Sequence, residues 1–250
     1  MELTVLGMSG TWPPPGGATC GYLVSHDDTT VWLDAGTGTF SRLQQHIDVD
    51  QIDAIVVSHG HPDHFVDMIP AFYARHYGKL GGPHLPFFSP EGFVDLASLL
   101  VSEGGRDVMS EAYAFTTVRG GDSFTVGALS FDVVEMTHIG VHAMGYRIEA
   151  DGQVLAYTGD TGPCDAVVEL ARDADMLLAE ATYQEASEIL PFHLSAKQAA
   201  DHAAAAGVHQ LVLTHLTPGL DPEVSRAEAA EGFDGTVQVA FEGMKIQVRA

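Results

Sequence analysis

The sequence predicts an α/β protein built as a four-layer αββα sandwich, with a two-metal site between its sheets. Several apolar segments typical of buried strands each end in an acid or a histidine. In a layered α/β fold, such strand ends gather distant side chains into one cleft. One loop adds a dense set of metal-binding residues, and a length of 250 residues allows a substantial core. We therefore expect one domain, residues 1–250.

The first part of the chain alternates apolar runs with turns rich in glycine and proline. The apolar runs predict strands at residues 3–6, 21–24 and 31–36. The loop at 7–17, which carries Trp12, is predicted to lie over the cleft. Residues 37–46 are predicted to form a helix that is entered through glycines.

The loop Ser58-His59-Gly60-His61-Pro62-Asp63-His64 places three imidazoles and one carboxylate in six consecutive positions, directly after an apolar, β-branched strand. Residues two apart in an extended chain point the same way, so His59 and His61 can bind one ion. Asp63 and His64 can reach a second ion. The alternative is a polar surface loop in which Asp63 only caps a helix. The density of ligands favours metal binding.

The pattern His-x-His-x-Asp-His after an apolar strand resembles the signature of the metallo-β-lactamase fold superfamily, and later motifs extend the similarity over almost the whole chain. Within that superfamily, the chain is similar to the RNase Z-like metal-dependent hydrolases. The resemblance implies the αββα metallo-β-lactamase fold. It also implies that Asp34, in an Asp-x-Gly turn, supports the ligand loop, although a simple turn aspartate remains an open alternative.

The segment after the ligand loop is predicted to complete the outer layers. Helices are predicted at residues 70–77 and 90–101. The apolar residues of the second helix share one face: Phe93, Leu96, Ala97 and Leu100. Strands are predicted at 87–89, 116–118, 123–126 and 129–136. We interpret His76 and His84 as surface or packing residues rather than ligands.

The strand at 133–136 leads to His138. It resembles the third motif of the family, in which such a histidine completes a three-imidazole set with His59 and His61. The next segment, Gly145-Tyr146-Arg147-Ile148, is similar to the strand that follows that histidine in RNase Z-like proteins. The spacing is one residue longer than expected, so His142 is a rival ligand, but the strand context favours His138.

The strand at 153–158 ends in Gly159-Asp160-Thr161. Gly159 allows close backbone approach, and we interpret Asp160 as the carboxylate that bridges both ions. The best-known zinc β-lactamases use a cysteine ligand at the second metal, and this chain has none there. The set of Asp63, His64 and Asp160 instead resembles the hydrolase and phosphodiesterase branches.

The segment Leu177-Leu178-Ala179-Glu180-Ala181-Thr182 closely resembles RNase Z-like sequences, in which the glutamate orients a catalytic histidine. That histidine would be His193, in a His-x-Ser loop before a predicted helix at 196–206. The alternative for His193 is a side chain of a helix-capping loop.

The last ligand motif is the apolar strand at 210–214, which ends at His215. This histidine matches the last ligand of the family and would complete the second metal with Asp63, His64 and Asp160. The remaining elements are a helix that Pro222 opens and closing strands at 236–240 and 244–248.

The net charge of the chain indicates which classes of partner it can bind. Eleven Lys plus Arg against 34 Asp plus Glu give a formal net charge of -23, which argues against a generic nucleic-acid surface. Two bound cations would reverse the charge locally, so a small anionic substrate remains compatible. Two cysteines, no signal-like segment and no run of about 18 apolar residues predict a cytoplasmic protein that does not enter the membrane. The sequence does not determine the oligomeric state, and a homodimer is one state that it allows.

The resemblance implies a two-metal hydrolase in which Asp63, Glu180 and His193 are the catalytic groups. Imidazole dominates the ligand set, so Zn²⁺ is the expected metal, and Mn²⁺ or Fe would also fit. Two such ions lower the pKa of a bound water toward about 7. His193, oriented by Glu180, would protonate the leaving group.

The resemblance also implies phosphodiester hydrolysis, while the substrate is expected to be small. The arm with which the family grips tRNA, where present, lies between the third-motif histidine and the bridging aspartate. Here little more than a hairpin joins His138 to Asp160. We therefore predict a phosphodiesterase that acts on a small or short substrate. The alternatives are RNase Z itself, a lactonase or thioesterase of the same fold, and a non-catalytic metal-bound scaffold.

Overall fold

The computed structural model describes residues 1–249, and in that range the chain forms two seven-stranded sheets. The strands of the first sheet are β1 Glu2–Gly7, β2 Gly21–His26, β3 Thr29–Ala35, β4 Ala54–Val56, β5 Leu85–Pro90, β6 Tyr113–Val118 and β14 Lys245–Gln247. Those of the second are β7 Ser123–Val126, β8 Leu129–Met136, β9 Ala143–Ala150, β10 Gln153–Tyr157, β11 Met176–Glu180, β12 Gln210–Thr214 and β13 Thr236–Val239. Their spatial orders are β14-β1-β2-β3-β4-β5-β6 and β13-β12-β11-β10-β9-β8-β7.

The helices cover the outer faces of the sheets. They are α1 Thr39–Leu43, α2 Pro62–Phe65, α3 Met68–His76, α4 Phe93–Ser98, α5 Gly105–Ala112, α6 Asp165–Ala171, α7 Ala196–Ala206 and α8 Pro222–Ala230. A 3₁₀ turn occupies Val49–Gln51. Among the helices of residues 1–249, none is long and apolar enough to cross a membrane.

Three apolar cores separate four layers. Successive side chains of a strand point to opposite faces of its sheet, so Leu33 of β3 enters the core between the sheets while Trp32 packs under helices α1 and α3. On the second sheet, Leu178 faces inward and Leu177 packs against helices α6 and α7. This arrangement confirms the predicted αββα sandwich.

Parallel strands meet at one edge of the sandwich. Strands β3 to β6 are parallel neighbours in the first sheet, and β10 to β13 are parallel neighbours in the second. Ligands of such sheets bind outside the carboxyl ends of the strands. The loops that carry the predicted metal ligands begin at these ends, except that His138 follows β8, which runs in the same direction as β10.

The helix predicted at 90–101 is wrong at both ends. Pro90 is the last residue of β5 and pairs with Val118, and the helix spans only Phe93–Ser98. Its buried apolar residues include Phe93 and Ala97, whereas Leu96 and Leu100 are 45% and 53% exposed. The prediction that all four apolar residues share one helix face is therefore only half right, because Leu96 is exposed to solvent and Leu100 lies beyond the end of the helix.

Candidate metal centre

The structure brings all of the predicted metal ligands together at the carboxyl ends of four strands. One loop and the start of α2 follow β4, and single residues follow β8, β10 and β12. The ligands are His59, His61, Asp63 and His64, then His138, Asp160 and His215. Residues separated by more than 150 positions thus face one cleft.

The first group of ligand atoms contains three imidazoles and one carboxylate oxygen. His61 Nδ1 lies 3.1 Å from His59 Nε2 and 3.0 Å from His138 Nε2. Asp160 Oδ2 lies 3.7 Å from His59 Nε2 and 3.9 Å from His138 Nε2. Ligands about 2.1 Å from a tetrahedral ion stand roughly 3.4 Å apart, so these spacings suit one ion. Burial lowers the pKa of all three imidazoles and so favours the neutral form that binds metals.

The second group shares Asp160 with the first. His215 Nε2 lies 3.4 Å from Asp63 Oδ2 and 3.2 Å from Asp160 Oδ2. His64 Nε2 lies 3.7 Å from Asp63 Oδ2 and 3.2 Å from Asp160 Oδ1. These distances again match the spacing of ligands around one ion. Of the two carboxylates in these groups, Asp160 is therefore the one positioned to contact ions in both.

Two buried atoms of this cluster indicate that a cation fits it. In the described part of the chain, His64 Nε2 and Asp160 Oδ1 are shielded from solvent and form no hydrogen bond with any group, including each other, although they lie 3.2 Å apart. A buried polar atom without a partner costs about 1–3 kcal/mol. A divalent cation would satisfy both atoms, and imidazole with carboxylate is a donor set that such ions bind. The residues present therefore fit divalent metal ions.

The structure places His138, rather than its rival His142, in the first group. The Nδ1 atom of His138 lies 2.9 Å from the carbonyl oxygen of Phe192, so Nδ1–H can donate there and leave Nε2 for a metal. The His142 side chain is 57% exposed and pairs instead with Glu135 at 3.1 Å.

This difference supplies a matched pair of variants. We expect His138→Ala to weaken metal binding at the first group by at least about 100-fold, because it removes a coordinating atom rather than a supporting one. His142→Ala should keep the wild-type metal content, since its imidazole lies outside the cluster. Elemental analysis after dialysis checks both. Loss of metal in His142→Ala with retention in His138→Ala would reverse the assignment.

Asp34 supports the ligand loop and is not a simple turn aspartate. Its buried carboxylate accepts hydrogen bonds from the Ser58 backbone N–H at 2.6 Å and from the Ser58 hydroxyl at 2.7 Å. The Tyr157 hydroxyl donates to it at 2.6 Å, and His64 Nδ1 lies 2.7 Å away. Asp34 thereby turns His64 Nε2 toward the second group. Its φ of +54° is a costly conformation that this network maintains.

Glu180 and His193 form a pair beside the ligand cluster. His193 Nδ1 lies 2.9 Å from Glu180 Oε1 and 3.8 Å from Asp160 Oδ2. The backbone N–H groups of Thr161 and Leu194 also donate to Glu180, at 2.7 and 3.1 Å, which fixes the carboxylate. Burial alone would lower the pKa of His193, but the hydrogen bond and charge of Glu180 outweigh it and raise that pKa. Glu180 therefore orients the imidazole and stabilises its protonated form.

Thr182 is a site residue to which the sequence analysis gave no role. Its hydroxyl donates to Glu180 Oε2 at 2.8 Å and lies 2.8 Å from His215 Nδ1, so it can accept a hydrogen bond from that ring. One hydroxyl thus connects the Glu180–His193 pair to a predicted metal ligand. The signal was present, because Thr182 closes the Glu-Ala-Thr motif that was used to identify Glu180.

A cleft of about 380 Å³ opens onto the cluster. Ile139 and Phe192 form apolar walls, and His193 lies on its surface with 13% of the side chain exposed. Among the described residues that line this cleft, none is Lys or Arg. The predicted position of the 7–17 loop is confirmed, since Thr11 lines the cleft and its backbone N–H donates to Asp63 Oδ2 at 2.8 Å.

Comparisons with known proteins agree with this geometry. Residues 29–216 match the family model of the "Beta-lactamase superfamily domain". The chain is 34% identical over 256 residues to an uncharacterized protein of Mycobacterium leprae, covering 100% of this chain and 89% of that protein. It is 30% identical over 291 residues to a ribonuclease Z of Methanopyrus kandleri, covering 100% and 98%. The crystal structure of the metallo-β-lactamase fold protein YhfI from Bacillus subtilis has a TM-score of 0.88 at 24% identity over 98% of each chain.

Proposed function

This chain belongs to the β-lactamase superfamily as an RNase Z-like metal-dependent hydrolase, and we propose that it is a two-metal phosphodiesterase for small substrates. One observation carries the proposal. The imidazole of His193, held by Glu180 at 2.9 Å, lies beside the ligand cluster at the surface of the cleft. A general acid at this position suits a reaction in which an alkoxide leaves.

The metal ions are proposed to occupy two sites that share Asp160. His59, His61 and His138 would hold the first ion, and Asp63, His64 and His215 would hold the second. When bound, such ions lower the pKa of a water and neutralise charge on the phosphoryl oxygens. Five imidazoles and two carboxylates make Zn²⁺ the preferred metal, with Mn²⁺ or Fe as alternatives.

Two residues of the chain are proposed to handle protons. Asp63, which lines the cleft, accepts a hydrogen bond from the Thr11 backbone N–H and would orient the attacking water or accept its proton. His193 would donate its Nε2 proton to the departing oxygen, because Nδ1 is held by Glu180. Glu180 has no direct contact with the substrate in this scheme and acts by positioning His193.

Three features support a small substrate. The cleft of about 380 Å³ is near the lower end of the usual range for small-molecule sites. The described lining contains no Lys or Arg that could follow a polyphosphate backbone. Between His138 and Asp160, strands β9 and β10 form a hairpin in which Ala150 pairs with Gln153, in place of an inserted arm.

A substrate panel tests the proposed activity. We expect the metal-loaded protein to hydrolyse bis(p-nitrophenyl) phosphate with a rate enhancement over the uncatalysed reaction at least about tenfold larger than for a lactone or a thioester. The same protein after chelation should be inactive. Turnover confined to lactones or thioesters would indicate an ester hydrolase, and no turnover despite full metal occupancy would indicate a non-catalytic scaffold.

Ribonuclease Z activity is the second candidate, favoured by 30% identity to the Methanopyrus kandleri enzyme over 98% of its length. Our proposal predicts weak binding of precursor tRNA that fades further as salt rises, because the chain carries a formal charge of -23. Tight, specific tRNA binding by the isolated protein, with cleavage at the 3′ end, would favour ribonuclease Z instead.

A further inference from the structure

A second cavity, of about 400 Å³, lies at the C-terminal end of helix α3, between the loop that follows it and helix α5. The residues that line it differ from those of the metal-site cleft. Its polar lining is dominated by groups that carry or can carry positive charge: Arg75, His76, Lys79 and His84. Such a concentration stands out in a chain with 34 acids and 11 Lys plus Arg.

Arg75 is a buried cation without a counter-charge. The residue is 7% exposed, and within residues 1–249 no carboxylate lies at ion-pair distance from it. One guanidinium nitrogen, Nη2, donates to the Gly82 carbonyl, while Nε and Nη1 are buried without a hydrogen-bond partner in the described residues. Burial lowers the pKa of Arg75, so its surroundings disfavour the charged form. An oxyanion would supply the missing charge and an acceptor for the guanidinium.

The rest of the lining adds one further cation, two imidazoles and a single carboxylate. Lys79 is exposed and has no ion pair in the part of the chain that the structure describes. Glu111, the one carboxylate of the described lining, lies 3.4 Å from His76 Nδ1. His84 Nδ1 lies 3.0 Å from the Ser110 carbonyl oxygen and can donate there, which leaves Nε2 for another partner. The cavity therefore keeps a net positive charge even with both imidazoles neutral.

Two glycines form the wall above Arg75. Gly81 has a φ of +70°, and a Cβ there would lie 2.5 Å from Arg75 Nη1, so a larger residue at this position would be strained and would displace the guanidinium. A Cβ added at Gly82 would meet open space, and the Gly82 carbonyl accepts a hydrogen bond from Arg75. An incoming anion can replace this carbonyl if the glycine pair shifts, and glycine has the backbone freedom for such a shift.

We propose that this cavity binds the phosphate group of a small phosphorylated molecule, with Arg75 and Lys79 as its charged contacts. The planar guanidinium can donate two parallel hydrogen bonds to phosphate oxygens, and the ammonium acts as a compact charge at the rim. A volume of about 400 Å³ suits a ligand of metabolite size. This site is separate from the metal centre and does not depend on the reaction that occurs there.

The test is thermal unfolding of the metal-loaded, full-length protein in inorganic phosphate, compared with chloride at equal ionic strength. A ligand that binds only the folded state stabilises it. Phosphate at about a hundred times its dissociation constant should therefore raise the melting temperature by roughly 5 °C or more. Phosphate bound at the metal centre would also contribute, so variants of the cavity must separate the two sites.

We expect Lys79→Ala to lose at least half of the phosphate-induced rise and Arg75→Gln to lose at least as much. Lys197→Ala, which removes another exposed lysine, is the matched control and should keep the whole rise. If Arg75→Gln does not fold, Lys79→Ala decides, because Lys79 is exposed. The proposal is overturned if phosphate gives no rise in the wild type, or if Lys79→Ala and Lys197→Ala show equal rises.

Discussion

Asp160→Ala is expected to deplete both metal sites and lower turnover by at least about 10⁴-fold, a loss of roughly 5.5 kcal/mol of transition-state stabilisation. Asp160 is 2% exposed, and its Oδ2 atom lies 3.7 Å from His59 Nε2 and 3.2 Å from His215 Nε2. Removing it therefore takes an oxygen from each group of ligands at once. It also leaves several buried imidazoles without the negative charge that they share.

Elemental analysis and turnover should be measured on the same preparation of this variant. Asp165→Ala removes an exposed carboxylate five positions away and should leave both metal content and rate unchanged. His215→Ala provides a graded comparison, since it should mainly weaken the second group. A full complement of metal in Asp160→Ala would show that this carboxylate is not the bridge.

His193→Ala is expected to leave metal content intact while lowering turnover by roughly 10²- to 10⁴-fold on substrates that release a poor alkoxide leaving group. The imidazole is held through Nδ1 by Glu180, at 2.9 Å, and would donate its other proton to the departing oxygen. A nitrophenolate needs little protonation, so the same variant should lose much less on nitrophenyl substrates. Glu180→Gln should follow the same trend more mildly, because it misorients the imidazole without removing it.

Comparing substrates with good and poor leaving groups distinguishes proton transfer by His193 from a role in binding or structure. His209→Ala, which removes an imidazole that is 71% exposed, is the matched control and should behave as wild type on both substrates. Equal losses on good and poor leaving groups in His193→Ala, or loss of metal from that variant, would assign His193 to binding or to structure instead of proton transfer.

The parts of the site that could be predicted are those encoded locally. His59, His61 and His64 lie within six consecutive positions, and an apolar strand before each later ligand predicts where its side chain emerges. Two neighbouring sheets then bring those strand ends to one edge. This is why strand patterns, read together with the resemblance to the family, identified His138, Asp160 and His215.

The supporting contacts of Tyr157 and Thr182 could not be predicted in the same way, because they join residues that are far apart in the chain. Tyr157 donates to Asp34 across 123 positions, and Thr182 reaches His215 across 33. Neither contact leaves a periodic signal. Such hydrogen bonds depend on how the two sheets pack, which pattern analysis does not determine.

Two helices of the outer layers also differ from the sequence-based prediction: α5 was not predicted, and α4 is shorter than predicted. Helix α5 begins at Gly105, and after that glycine it buries two side chains, Met109 and Ala112. Two apolar residues are too few to form a recognisable helical stripe in the sequence. Helix α4 is short because Pro90 is held in the parallel ladder with β6, which delays the turn until Gly92 at a φ of 79°. In both regions tertiary packing outweighs local propensity.

The central claim is that two ions, held by the clustered histidines and aspartates, are required for hydrolysis. The most direct test is to titrate Zn²⁺ into the metal-free protein while bound metal and turnover of bis(p-nitrophenyl) phosphate are measured together. We predict no activity without metal and a rise that reaches its plateau as the bound metal approaches two ions per chain. Full activity in the metal-free protein, or a plateau with no metal bound at the cluster, would contradict the claim.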